Sequence, residues 1–361
     1  MSRSTPEPAT RSTLALISRP HLWPSSRRYP GVANGWHGAA WVAFKLAGAG
    51  VAVPQDALES ISRRLADDMA RTSPNDHIGA MIGCSANAVI AAYAARHGLA
   101  GKAVARRACR HVLSMSRSNR AWDVHMGLSG TLLAFLEIDA VEPSALRDAQ
   151  PRRMAEQLRN TVDALCALPA KGWQTGMAHG PAGAIMALES CGAAGWCRIT
   201  NQHRQRWLDV LSRSAMTTAD GGLYWPMIAG EEQLGLQSWC AGTPGVALAL
   251  LQCFRLTQRP VYLEVARGAL AAMKSLSSKV FLSGTLCCGS AGYRHIFVDA
   301  YRITHEAEWL EHASREARLA SAARPRPRLG LHQGELGIAY LAERLASPGA
   351  YPFPALGVSS V

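Results

Sequence analysis

The sequence predicts an all-α fold made of seven helical hairpins, and three observations carry that prediction. A short glycine motif, G-x-x-G or a near relative, occurs seven times along the chain. Each copy runs directly into a stretch rich in Ala and Leu, as the first turn of a close-packed helix would. The first glycines of successive copies lie 48, 44, 53, 62, 47 and 45 residues apart, a period that suits a two-helix repeat. Strand-like alternation is rare.

Taken in order, residues 1–30 are dominated by Ser, Thr, Pro and Arg with little apolar pattern, and read as a disordered N-terminal tail. Organisation begins at Gly35-Trp-His-Gly38. The cadence returns at Gly83-Cys-Ser-Ala86, Gly127-Leu-Ser-Gly130, Gly180-Pro-Ala-Gly183, Gly242-Thr-Pro-Gly245, Gly289-Ser-Ala-Gly292 and Gly334-Glu-Leu-Gly337. The second copy ends on Ala86 and is degenerate, so a purely structural part is expected of it. Between the copies, Asp56 to Ala70 and Pro260 to Ser275 carry apolar residues at helical spacing and read as the amphipathic second helices. Ala322-Ala-Arg-Pro-Arg-Pro-Arg328 is expected to be a basic loop, because proline interrupts helix. Residues 346–361 are rich in proline and poor in charge, and read as a loosely packed C-terminal tail. Seven hairpins stack either as an open solenoid or as a closed ring, and periodicity leaves that choice open. In a ring, the helices that follow the glycines all start at one end, and residues beside the glycines line one mouth.

With 361 residues, 48% hydrophobic and 18% charged, the chain has enough apolar material for one large core. Its net charge of +12 suits an acidic peptide partner or plain solubility. No aromatic-basic pattern accompanies that charge, so nucleic acid is not expected. No apolar run approaches ~18 residues, so no membrane span is expected. Nothing near the start reads as a secretory signal, and the nine scattered cysteines suit a reducing cytoplasm, with thiols kept for metal or packing.

The chemistry-bearing residues gather beside the glycines. Cys240 lies two residues before Gly242, and Cys287-Cys288 immediately precedes Gly289. His179 stands directly before Gly180, Asp123 four residues before Gly127, and His332 two residues before Gly334. If the turns converge, Cys240, Cys287 and Cys288 form a three-thiol metal site with a fourth position open, the mark of a catalytic zinc rather than a structural one. Cys84, Cys109, Cys166, Cys191, Cys197 and Cys253 read instead as small buried hydrophobes. His37, His77, His125 and His332 read as packing or capping residues, and Trp239 as a residue that shapes the pocket beside Cys240.

Trp239-Cys-Ala-Gly-Thr-Pro-Gly245, Gly176-Met-Ala-His-Gly-Pro-Ala-Gly183 and Leu286-Cys-Cys-Gly289, set within the sevenfold cadence, make residues 31–345 resemble the lanthionine synthetase C-like family, the cyclases of lanthipeptide biosynthesis. The resemblance implies a single-domain α/α toroid of seven inner and seven outer helices with one zinc (Zn2+) at its mouth. Cys240 and Cys287 match the two cysteine ligands. Cys288 matches a third ligand that is histidine in many members and cysteine in a subset. His179 and Asp123 match the active-site histidine and aspartate. The implied reaction adds a peptide cysteine thiol across a dehydroalanine or dehydrobutyrine of the same peptide. Zinc would lower the thiol pKa, His179 would protonate the α-carbon, and Asp123 would orient a histidine or help manage the thiol proton. The implied partners are a dehydrated precursor peptide with an acidic leader and a separate dehydratase. Leu236 and Ala241 depart from the pattern, where many members have arginine and tyrosine. They keep two other readings open: a non-catalytic zinc-binding scaffold for peptides, and addition of a small thiol such as glutathione to dehydrated peptides. Toroids that act on glycosides or prenyl groups need paired carboxylates or Asp-rich metal motifs, and none is found.

Overall fold

The computed structural model describes residues 8–24, 31–71, 77–117, 119–233, 235–276, 283–320, 329–355 and 357. The expected basic loop at 322–328 lies outside them. The described residues hold fourteen α-helices and one two-stranded hairpin. Seven helices begin at the seven glycine turns: α2 (Trp36–Gly48), α4 (Ser85–Arg96), α6 (Leu128–Val141), α8 (Pro181–Ala193), α10 (Thr243–Thr257), α12 (Ser290–Thr304) and α14 (Glu335–Ala346). They are apolar around most of their circumference, and α6, α8 and α10 bury nearly every residue of their first three turns. A helix apolar on all sides must sit inside. Six strongly amphipathic helices alternate with them: α3 (Gln55–Ala70), α5 (Lys102–Ser116), α7 (Pro151–Cys166), α9 (Asn201–Arg213), α11 (Pro260–Leu276) and α13 (Ala307–Ala320). Each turns one stripe onto the inner layer, so an inner and an outer layer form.

The expectation that residues 1–30 are a disordered tail does not hold for those described. Pro8–Ile17 forms α1, which packs against α14 at the other end of the chain. Thr13 and Ile17 are fully buried, and Arg64 of α3 donates to the Pro20 carbonyl (2.8 Å) while lying over the Trp23 ring. Thus α1 is the seventh outer helix, supplied from the opposite terminus to complete the pair that α14 begins.

The longest interval, 62 residues, contains the only strand pair among the described residues: β1 (Met216–Thr217) antiparallel to β2 (Leu223–Tyr224), packed on α11.

The glycine cadence has a common geometric cause. In six copies the second glycine lies under the carbonyl of the residue six positions earlier, so a Cβ there would strike that oxygen: Gly38 on Val32, Gly130 on Val124, Gly183 on Met177, Gly245 on Trp239, Gly292 on Leu286 and Gly337 on Leu331. The turn folds back over the first coil of its own helix, and only glycine leaves the room.

Neighbouring turns are joined by a belt of backbone hydrogen bonds around the mouth. The N–H of Cys287 donates to His332 O (2.7 Å), His332 to Ala33 O (2.9 Å), Ala33 to Met81 O (3.1 Å), Ile82 to His125 O (3.1 Å), His125 to Ala178 O (3.1 Å) and Ala178 to Cys240 O (3.2 Å). The belt closes turn seven onto turn one, and Trp41 of α2 meets Tyr340 of α14 edge-on. The fold is therefore a closed α/α toroid rather than an open solenoid. Among the described residues one seam, between turns five and six, has no such backbone bond. There Cys240 Sγ faces Cys287 Sγ at 3.9 Å.

The C-terminal segment is also packed, contrary to expectation. Tyr351, Phe353 and Ala355 are buried. Phe353 contacts Trp239 of turn five and His295 of α12, and Gly357 donates to Glu137 of α6 (2.8 Å). The segment therefore spans from repeats five and six to α6 across the interior of the ring. Below it, Arg344 pairs with Asp299 (2.7 Å), both fully buried. Phe353→Ala should cost about 3–5 kcal/mol, the usual penalty for emptying a core phenylalanine site. Urea unfolding measures it, and a loss below about 1 kcal/mol would mean that the segment merely rests on the ring.

Candidate metal centre

Turn five presents Cys240 from a tight reverse turn. Ser238 N–H donates to Ala241 O (2.8 Å), and Ala241 N–H donates to Ser238 Oγ (3.2 Å). Gly242 follows at φ +86°, in the left-handed region, and a Cβ there would collide with the Gln237 amide that caps Thr243 N–H. Turn six presents Cys287 and Cys288, with Cys287 pinned through its N–H to turn seven. The three sulfurs converge, all within 4.8 Å of one another, and Cys288 Sγ lies 3.4 Å from Cys287 Sγ. All nine cysteines are free thiols. The adjacent pair is thus not a vicinal disulfide.

These distances test whether a metal fits. Tetrahedral zinc with Zn–S near 2.3 Å separates its sulfurs by about 3.8 Å, close to the spacings seen here. The electrostatics agree. The thiols of Cys287 and Cys288, with the Ser238 hydroxyl 3.0 Å away, hold the Cys240 pKa well below the ordinary thiol range. The Cys287 pKa is pushed far up by its bonds to Cys240 and Cys288. Ionising one of these thiols therefore opposes ionising its neighbours. A divalent cation is the simplest charge that would let all three ionise together.

Beside the thiols stands a second group. His179 Nδ1 lies 3.1 Å from Asp123 Oδ2, and Asp123 Oδ1 accepts from Met126 N–H (2.9 Å). The carboxylate is thus fixed by its own turn and in turn fixes the imidazole. The pair is half-buried, 27% and 14% exposed, and so open to the mouth. The five residues read as metal ligands or active-site groups lie on turns three to six: three thiols in one cluster, and Asp123 with His179 in the other.

The chain matches the model of the family described as "Lanthionine synthetase C-like protein" over residues 30–356. It belongs to that family. As a lanthionine synthetase C-like protein it is similar in fold to a solved structure, "Nisin cyclase", with a TM-score of 0.74 and 14% identity, covering 97% of this chain and 98% of that one. It is also 29% identical to "Glutathione S-transferase LANCL1" of Danio rerio over 149 residues, 38% of this chain. The match spans only 35% of that relative's length.

Two roles differ from expectation in this family member, those of Trp239 and His125. Trp239 is a packing residue. It is buried with its ring edge-on to His332 and Phe353, and so props the turn that carries Cys240. His332 is fully enclosed, bonded through Nε2 to Pro354 O (3.0 Å). Of the six cysteines read as buried hydrophobes, Cys84, Cys109, Cys191 and Cys253 are buried, with burial raising the thiol pKa of the last three, while Cys166 and Cys197 are only partly buried. The residue that sequence reasoning passed over is His125, whose ring meets His179 edge-on at 4.6 Å. A signal was present: His125 lies two residues before Gly127, the register that Cys240 holds before Gly242. No helix of the described residues is long and apolar enough to cross a membrane.

Proposed function

We propose that this chain is a zinc-dependent cyclase that forms lanthionine or methyllanthionine rings by adding cysteine thiols of a ribosomally made peptide to its dehydroalanine or dehydrobutyrine residues. The observation that carries the reading is the convergence of three thiols from two turns beside a fixed His179–Asp123 pair at the mouth of the ring. Cys240, Cys287 and Cys288 would hold the metal. Bound there, zinc would act as a Lewis acid that lowers the pKa of an incoming thiol toward neutrality. The remaining steps fall to the chain itself. Sulfur attack on the β-carbon leaves a carbanion equivalent at the α-carbon, which must receive a proton. We assign that proton to His179, whose imidazole is held by Asp123 and half-exposed at the mouth. Asp123 fixes the ring through Nδ1, leaving Nε2 as the nitrogen free to move the proton. Incubating the zinc-loaded chain with a dehydrated, cysteine-containing peptide and counting free thiols tests the reading. Loss of thiol without change of mass supports it, and no loss refutes it.

A second reading draws on the name of the relative matched over a third of its length: the attacking thiol is small and soluble, as glutathione is. Adding such a thiol to the same assay separates the two, since intermolecular addition raises the peptide mass and cyclisation does not. The precursor would come from a separate dehydratase. All nine thiols are free, which suits work in the cytoplasm.

The net charge of +12 favours a precursor with an acidic leader segment. Its apparent Kd should rise several-fold between about 0.05 and 0.3 M salt, since exposed charges are screened beyond about 10 Å at 0.1 M. Titration by fluorescence anisotropy at the two salt concentrations checks this, and a constant Kd would remove the leader's charge from the account.

A further inference from the structure

We propose that His125 is a catalytic residue that donates a hydrogen bond from Nε2 to the carbonyl oxygen of the dehydrated residue as the thiol adds. The inference rests on the thiol-addition reading above and deepens it. In that addition a sulfur–carbon bond forms at the β-carbon, and the C=C π bond breaks. Its electron pair moves onto the carbonyl oxygen of the same residue until a proton reaches the α-carbon. The thiol's proton is thus matched by the proton gained at carbon, and no other reactant is consumed. Between those events negative charge sits on the oxygen, and a preoriented donor aimed at developing charge is among the largest contributions a site can make.

Few residues at the mouth can be that donor. The three thiols and Asp123 are acceptors once ionised. The side chains of Leu236 and Ala241 carry no donor. Trp239 Nε1 is sealed from solvent. His179 is engaged by Asp123 and assigned to the α-carbon. His125 is a donor that stands beside both His179 and Cys240, and it is held firmly. Its N–H donates to Ala178 O and its carbonyl accepts from Ile82 N–H, both at 3.1 Å, so its backbone is a link of the belt. Its ring stands edge-on to His179 at 4.6 Å, within electrostatic reach of Cys240.

The two ring nitrogens differ. Nδ1 is sealed from solvent and has no partner, while Nε2 lies on the accessible side of a half-buried ring. A buried orphan donor is the rarer arrangement, so we assign the proton to Nε2, where water or substrate can receive it. Burial first, and the neighbouring His179 second, push the His125 pKa down to about 4. The ring therefore stays neutral at pH 7, and a neutral imidazole is sufficient as an electrophilic donor to a carbonyl. The orphan Nδ1 is a stability cost that a leucine would not carry.

That cost supplies the test. The zinc-loaded full chain, His125→Leu and His125→Gln are compared on the dehydrated peptide, with zinc content and Tm measured on the same samples. His125→Leu should keep its zinc, keep or raise its Tm, and lose about 10²–10³ in kcat with KM changed less than about threefold. His125→Gln, which restores a neutral N–H donor, should recover kcat to within about tenfold of the parent. Either of two results overturns the proposal: a His125→Leu kcat within about threefold of the parent, or a glutamine variant no better than the leucine one. Falling zinc content or Tm in His125→Leu would make the residue structural and overturn it too. If the parent protein itself leaves the peptide thiols untouched, the thiol-addition reading fails and this inference falls with it.

Discussion

Cys287→Ala should reduce bound zinc from about one per chain to under a tenth while leaving the toroid folded. Cys287 is the middle sulfur of the cluster, 3.9 Å from Cys240 and 3.4 Å from Cys288, so its loss leaves two thiols that no longer enclose a cation. The fold has other support. Six of the seven seams between turns are closed by backbone hydrogen bonds among the described residues, and the inner helices share one continuous core. Metal binding is therefore separable from folding, unlike a zinc finger, where the two are one event. Metal analysis after desalting, with circular dichroism on the same sample, measures both quantities. Full retention of zinc would place the ligands elsewhere. Global unfolding would show that the seam between turns five and six depends on the metal for its integrity.

His179→Ala should keep zinc and fold but lower the cyclisation rate by about 10²–10⁴, the usual contribution of a positioned general acid. The residue lies outside the thiol cluster, and its imidazole is bound to Asp123. Asp123→Asn should be milder, because it loosens and reorients the ring without removing it. Consumption of free thiol by both variants, at matched zinc content, is the measurement. Release of zinc by His179→Ala would make it a ligand, and an unchanged rate would move the proton to another donor.

Much of the site was legible because its signals are local. A glycine pair marks where each chain reversal must pass under its own helix, and an Ala/Leu run marks a helix enclosed on all sides. All seven inner helices begin where the glycines place them. The amphipathic stretches at Asp56–Ala70 and Pro260–Ser275 appear as Gln55–Ala70 and Pro260–Leu276. Cys240, Cys287 and Cys288 were candidates from their positions beside those glycines, and equal register puts residues of successive turns on one rim.

The sequence by itself thus determined the all-α class, the repeat, the inner helix starts and the thiol trio, each written within a few neighbouring residues. Tertiary structure alone decided the rest. Whether the hairpins close depends on His332 N–H meeting Ala33 O, two groups from opposite ends of the chain. Whether residues 8–17 are a tail or a helix depends on packing against α14, with Thr13 and Ile17 buried, since a ten-residue helix is marginal in water without tertiary support. Phe353 reads as part of a proline-rich end until the interior between α12 and turn five offers it a place. His125 resembles any histidine near a glycine until the ring sets it against His179, with one nitrogen sealed and the other open. Such features follow from burial and pairing between distant residues, and no local pattern encodes them.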